Sequence, residues 1–106
     1  MGKRKYTSGK RVSKAVAKFE RKVEVANELG LHLRAAVEIA KVADKFLSDV
    51  YIVRNKSRAN AKSVLSVASL GALKQTKLKI VAQGRDAKEA VEAISRLFKE
   101  QFGEGR

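Results

Sequence analysis

The sequence predicts an α+β fold: an open-faced two-layer sandwich in the order β-α-β-β-α-β-α, with a four-stranded antiparallel sheet and three helices on one face. Three observations predict it. Apolar residues alternate with polar ones in residues 21–26 and 78–83, the period of a half-buried strand. Apolar residues recur at helical spacing in residues 33–47 and 87–98. Strands with one apolar face and helices with one apolar stripe bury both by packing as two layers.

The elements follow in order. Val23 and Val25 lie on one side of the first strand, Lys22 and Glu24 on the other. Asn27-Glu28-Leu29-Gly30 is a loop. Ala36, Ile39, Ala40, Ala43, Phe46 and Leu47 then keep the helical period. Residues 50–53 are β-branched and aromatic, a second strand. Arg54-Asn55-Lys56-Ser57 turns the chain, and a short strand over residues 58–61 completes a hairpin. Residues 63–70 read as a short helix that Ser63 caps and Gly71 closes in left-handed conformation. Leu78, Ile80 and Ala82 alternate in a fourth strand, and Gly84-Arg85 turns. Asp86 and Glu89 have the spacing of a capping box. Ala87, Ala90, Val91, Ile94, Leu97 and Phe98 form the stripe of the last helix.

At 106 residues the chain has room for one domain. Net charge is +13, and seven of the 24 Lys and Arg residues fall in residues 1–18 with no acid among them. The organisation is therefore a basic N-terminal arm, residues 1–19, on a domain spanning residues 20–106. Residues 1–11 have a disordered composition. Val12, Ala15, Val16 and Phe19 have the spacing of a short amphipathic helix. Three readings of the arm stand: a solvated tail, a segment that docks on an acidic or polyanionic partner, or a segment that packs on the domain. Aromatic residues for base stacking are scarce there, so nucleic acid is a weak candidate.

Other classes are excluded. The chain has no cysteine and one histidine, which removes disulfide scaffolds and thiolate metal sites and leaves few ligands for any metal. No metal or cofactor is expected. No apolar run is long enough to span a membrane, and residues 1–19 lack the apolar core of a signal peptide. A cytoplasmic location fits this composition.

The functional signal lies in the helix starts. The last helix carries its own acids, Asp86 and Glu89, at its positive end. The helix that begins "GLHLRAA", Gly30 to Ala36, has no acid before Glu38 and places Arg34 in its first turn. The helix at Ser63 follows Lys62, and no acid occurs between Asp49 and Asp86. A helix start without its own anion is unfavourable when empty and favourable when an anion arrives, because free N–H groups and an arginine fork meet it. His32 at the mouth of the first helix adds a nucleophile, since neutral imidazole attacks phosphorus well. The plainer readings stand beside this one: His32 as a cap or surface residue, and Ser63 as a simple N-cap.

"GLHLRAA", followed by a helix and then by "NAKSVLSVASLGA", resembles the HPr family, histidine phosphocarriers of the bacterial phosphoenolpyruvate-dependent sugar phosphotransferase system. The resemblance covers about residues 20–103. It implies that His32 is phosphorylated on Nδ1 by phospho-enzyme I and passes the group to a histidine of an enzyme II A-type component or a related acceptor. It implies that Arg34 is the active-site arginine, and that the backbone N–H groups of Leu33, Arg34 and Ala35 cradle the phosphate. Ser63 matches the target of a serine kinase in some lineages. Val64, Ala68 and Leu70 match a partly exposed apolar surface that docks partners. The chain would then be a monomeric covalent intermediate between enzymes. The alternative is a regulatory binding module of the same fold, switched by phosphorylation of Ser63. Three departures from the family pattern stand out: Ala35 where proline is usual, Gln75 where glycine is common, predicting a looser turn before the last strand, and the basic arm.

Overall fold

The computed structural model describes residues 17–104. Eight elements follow one another: β1 (Ala17–Glu24), α1 (Leu33–Ala43), β2 (Asp49–Arg54), β3 (Ser57–Asn60), α2 (Val64–Ala68), β4 (Lys77–Gly84), α3 (Ala87–Lys99) and a 3₁₀ turn (Gln101–Gly103). The four strands form one antiparallel sheet in the order β1-β4-β2-β3. This is the open-faced arrangement that the alternating strands and striped helices require.

Register explains which residues reach the core. Leu78 pairs with Val23, Ile80 with Ile52 and Ala82 with Val50. Leu78, Ile80, Ala82, Val50 and Ile52 are buried beneath the helices. From the other layer come Ala35, Ala36, Ile39 and Ala43 of α1, Val67 of α2, and Ala87, Ala90, Val91, Ile94 and Phe98 of α3. The alanines matter as much as the large residues, because small side chains let helices close on the sheet without voids.

The short helix over 63–70 is Val64–Ala68 and the strand over 58–61 is Ser57–Asn60, and three further changes affect packing or capping. β1 begins at Ala17 and ends at Glu24, earlier at both ends than residues 21–26. Eight consecutive pairs with β4, from Ala17–Gly84 to Glu24–Lys77, hold it. Phe19 therefore lies in a strand, not in an amphipathic helix. It fits the period of two shared by Arg21 and Val23 as well as it fits the helical spacing, and backbone pairing decides between them. Residues 12–16 of that expected helix lie outside the described residues. α1 ends at Ala43, short of Leu47. The N–H of Lys45 turns back to Val42 O and that of Phe46 to Ala43 O, both at 3.1 Å, a tightening common at helix ends. Phe46 still packs on the core while Leu47 is exposed.

The third change is at α3. Asp86 occupies the N-cap position but makes no side-chain cap bond, so the capping box does not form. Its carboxylate instead accepts from Leu47 N–H and Ser48 N–H, each at 2.9 Å, and from Ser48 Oγ–H at 2.5 Å. The Ser48 hydroxyl and the Leu47 amide hold the Asp86 carboxyl below the usual aspartate value. Glu89 remains as the acid of the first turn.

The turn before β4 is not loosened by Gln75. Gln75 adopts φ 76°, and the turn closes with Thr76 N–H to Leu73 O at 3.0 Å and Leu73 N–H to Thr76 Oγ1 at 3.1 Å. Gln75 N–H also bonds Val25 O at 2.7 Å. The side chain tolerates the left-handed conformation at a cost of about 1 kcal/mol, because three hydrogen bonds fix the backbone around it.

Candidate functional site

The loop ahead of α1 is built around Asn27. Asn27 is fully buried, and its Nδ2 donates to Gly30 O at 2.8 Å while Gly30 N–H returns to Asn27 O at 3.2 Å. Leu31 is buried and its N–H bonds Ala72 O at 2.8 Å. Gly30 is required between them. Its φ is 71°, and a Cβ there would lie 2.6 Å from Ala72 O, a backbone atom that cannot move aside. This clasp aims His32 at the mouth of α1.

His32 is the N-cap of α1, with extended backbone (φ −76°, ψ 179°) and no side-chain cap bond. The first intrahelical bond is Ala36 N–H to His32 O at 3.0 Å. The amides of Leu33, Arg34 and Ala35 precede it, in the turn where a helix leaves its donors without helical partners. Ala35 is fully buried, so its side chain anchors the start of the helix in the core. No acidic residue occurs in the first turn.

The helix start nevertheless has an acid, which corrects the expectation of an empty anion site. Glu104 Oε2 lies 2.6 Å from His32 Nε2 and 3.9 Å from Arg34 Nη1. Its other oxygen, Oε1, accepts from Asn27 Nδ2 at 2.9 Å. Burial raises the Glu104 pKa, but the hydrogen bonds from Asn27 and His32 and the nearby charges outweigh it, leaving the carboxyl below the usual glutamate value. Arg34 is mostly exposed, at 66%, so its ion pair at 3.9 Å contributes little to stability.

An unusual backbone delivers Glu104. Gln101, Phe102 and Gly103 have φ of 54°, 55° and 78°, so three consecutive left-handed residues reverse the chain after α3. Phe102 is buried and meets Phe98 edge to face, with ring centroids 5.0 Å apart. Burying such a ring contributes roughly 2–3 kcal/mol, which offsets the conformational cost at Gln101 and Phe102.

The remaining expected residues lie on α2. Ser63 is its N-cap, half-buried, and Oγ accepts from Ser66 N–H at 3.3 Å. Gly71, at φ 59°, follows the helix in left-handed conformation. Among the described residues no hydrogen bond or ion pair joins Ser63 to His32 or Arg34. α1 and α2 do pack on each other. Val64 and Ala68 are half-buried, but Leu70 belongs to the core and is not a surface residue. Its carbonyl accepts from Arg54 Nη1 at 2.6 Å, placing a cation at the negative end of α2. The exposed apolar residues of this region are instead Leu33, Leu65 and Leu73.

The fold and the site together define a class: a small open-faced α+β domain that presents one histidine at a helix mouth beside free amides and an arginine. Comparisons with known proteins agree. The family model "PTS HPr component phosphorylation site" matches residues 19–100. The phosphocarrier protein HPr of Neisseria meningitidis is 37% identical over 87 residues, covering 82% of this chain and 98% of that protein. The phosphocarrier protein NPr of Shewanella violacea is 36% identical over 89 residues, covering 84% and 98%. The crystal structure of HPr-C-His from Thermoanaerobacter tengcongensis superimposes with a TM-score of 0.79 at 34% identity, over 83% of this chain and 99% of that one. The chain belongs to the HPr family, the phosphocarrier component of the phosphotransferase system. Among the described residues no helix is long and apolar enough to cross a membrane.

Proposed function

We propose that this chain accepts a phosphoryl group on His32 Nδ1 from phospho-enzyme I and passes it to a histidine of an enzyme II A-type component or a related acceptor. The observation that carries the reading is the placing of His32. The ring stands at the N-cap of α1 without capping it, beside the first-turn amides and Arg34. Phosphoryl transfer needs in-line placement and charge neutralisation more than an enclosed cleft, and an open helix mouth supplies both. The amides of Leu33, Arg34 and Ala35 meet the phosphoryl oxygens, and Arg34 leaves Glu104 to join them. The nitrogen–phosphorus bond to His32 forms as the donor's bond to phosphorus breaks, with the donor keeping the electron pair. Every group used belongs to a single chain, which suits a monomer acting in the cytoplasm. The exposed Leu33, Leu65 and Leu73 and the half-buried Val64 and Ala68 supply the apolar docking surface.

Incubation with phosphoenolpyruvate and a cognate enzyme I should give one acid-labile phosphoryl group per chain, visible by phosphorus NMR and lost in His32→Ala. Undiminished labelling of that variant would overturn the proposal.

A second reading concerns Ser63. Ser63 is half-buried, and among the described residues its hydroxyl holds one long cap bond, at 3.3 Å, so a serine kinase has an accessible target beside the docking surface. Added negative charge there would alter partner affinity. Ser63→Asp should change binding to a partner protein, and equal affinities for Ser63→Asp, Ser63→Ala and wild type would remove this reading.

A further inference from the structure

Two donors converge on the carboxylate of Glu104: Asn27 Nδ2–H on Oε1 at 2.9 Å and His32 Nε2 on Oε2 at 2.6 Å. The Asn27 amide is fixed in orientation, because Nδ2 faces two acceptors, Gly30 O and Glu104 Oε1, while Oδ1 has no partner among the described residues. Asn27 therefore donates to Glu104, and the carboxylate accepts on both oxygens. An ionised carboxylate only accepts. The ring nitrogen it touches must carry the proton, and a neutral imidazole carries only one.

We infer that Glu104, held by Asn27, is a positioning residue that locks His32 in the Nε2–H tautomer and so leaves the Nδ1 lone pair as the nucleophile. The inference rests on the carrier reading and deepens it. In this tautomer the step balances without proton movement. The Nδ1 pair forms the bond to phosphorus, the donor's bond breaks towards the donor, and the Nε2 proton stays in place. The phosphorylated ring becomes cationic and keeps Glu104 as its counter-ion on the side away from phosphorus. In the onward step the ring leaves as neutral imidazole, again with its Nε2 proton. The logic is that of an acid which orients a catalytic histidine through its second nitrogen. Here the acid comes from 72 residues away.

Glu104→Gln is the informative variant. A carboxylate satisfies two donors, whereas a carboxamide offers one acceptor and one donor. With its oxygen on Asn27, Gln would present N–H to His32 and favour the opposite tautomer. The experiment is nitrogen-15 NMR of the His32 ring in the full chain, with no phosphoryl donor present, at a pH where the ring is neutral. Phosphoryl uptake from phospho-enzyme I is timed in parallel. Wild type should show a single Nε2–H tautomer. Glu104→Gln should shift the ring towards the Nδ1–H tautomer and Glu104→Ala should show a mixture, each with uptake slowed about tenfold and final stoichiometry unchanged. Variants that keep the single tautomer and the wild-type rate would overturn the inference. A wild-type chain with the single tautomer that takes no label would uphold the tautomer lock and overturn the carrier reading alone.

Discussion

The starts of α1 and α3 are built to opposite ends from the same position. In each, the N-cap residue makes no cap bond with its own helix. Asp86 turns its carboxylate to the Leu47–Ser48 segment and binds three donors there. His32 turns its ring to Glu104 and makes one contact. α3 retains Glu89 at its positive end, while α1 has Arg34. One start is a clamp between two loops. The other leaves its first amides and one ring nitrogen uncommitted among the described residues. The difference teaches that a helix N-terminus becomes a reactive site less by what is added than by which local partners are withheld.

That comparison can be broken, beginning with the largest expected effect. Gly30→Ala should remove about 2–3 kcal/mol of stability in urea unfolding, from the left-handed strain and the Cβ contact with Ala72 O. Surviving folded protein should take up phosphoryl groups poorly, because His32 loses its clasp. Arg34→Ala should slow phosphoryl uptake about tenfold, the loss of one charge-assisted contact. Its stability should stay within about 0.5 kcal/mol of wild type, as the side chain is exposed.

Asp86→Asn tests the other start. The folded-state pKa of Asp86 is depressed, so its stabilising contribution is present above the ordinary aspartate value and is lost as pH falls through the folded value. The variant should unfold at lower urea than wild type at pH 7, and the gap should close towards strongly acid pH. Phosphoryl uptake by the folded variant should be unaffected. The smallest effect is a gain away from both starts: Gln75→Gly should raise stability by about 0.5–1 kcal/mol, by relieving the left-handed strain at φ 76°.

Much of this molecule was legible in its residues. The alternation of Leu78, Ile80 and Ala82 and the stripe of Ala87 to Phe98 are local patterns, and local patterns imposed the layers and their faces. The loop, and the places of His32 and Arg34 at the mouth of α1, were legible for the same reason. What was not legible is what depends on distant partners. Phe19 fits two periods, and only pairing with Ala82 selects the strand. Asp86 and Glu89 have capping-box spacing, but Ser48 and Leu47 compete for the aspartate across 38 and 39 residues. Leu70 was placed on a docking surface by resemblance to the family alone, yet its side chain joins the core while its carbonyl accepts from Arg54. Glu104 was missed altogether. Phe102 beyond Phe98, then Gly103, signals a chain reversal, but nothing local says where the reversal leads.

The left-handed run through Gln101, Phe102 and Gly103 makes the distance between an aromatic anchor and an acid into a ruler. Phe102 is seated against Phe98, and Glu104 stands two residues on. One residue inserted between them would displace the carboxylate by roughly 3.5 Å, more than the tolerance of a hydrogen bond. With a neutral insert the acid would remain in the chain, its charge unchanged, and still be out of reach of His32. In aligning or redesigning sequences of this kind, the spacing from the buried aromatic should therefore count for more than the mere presence of a glutamate.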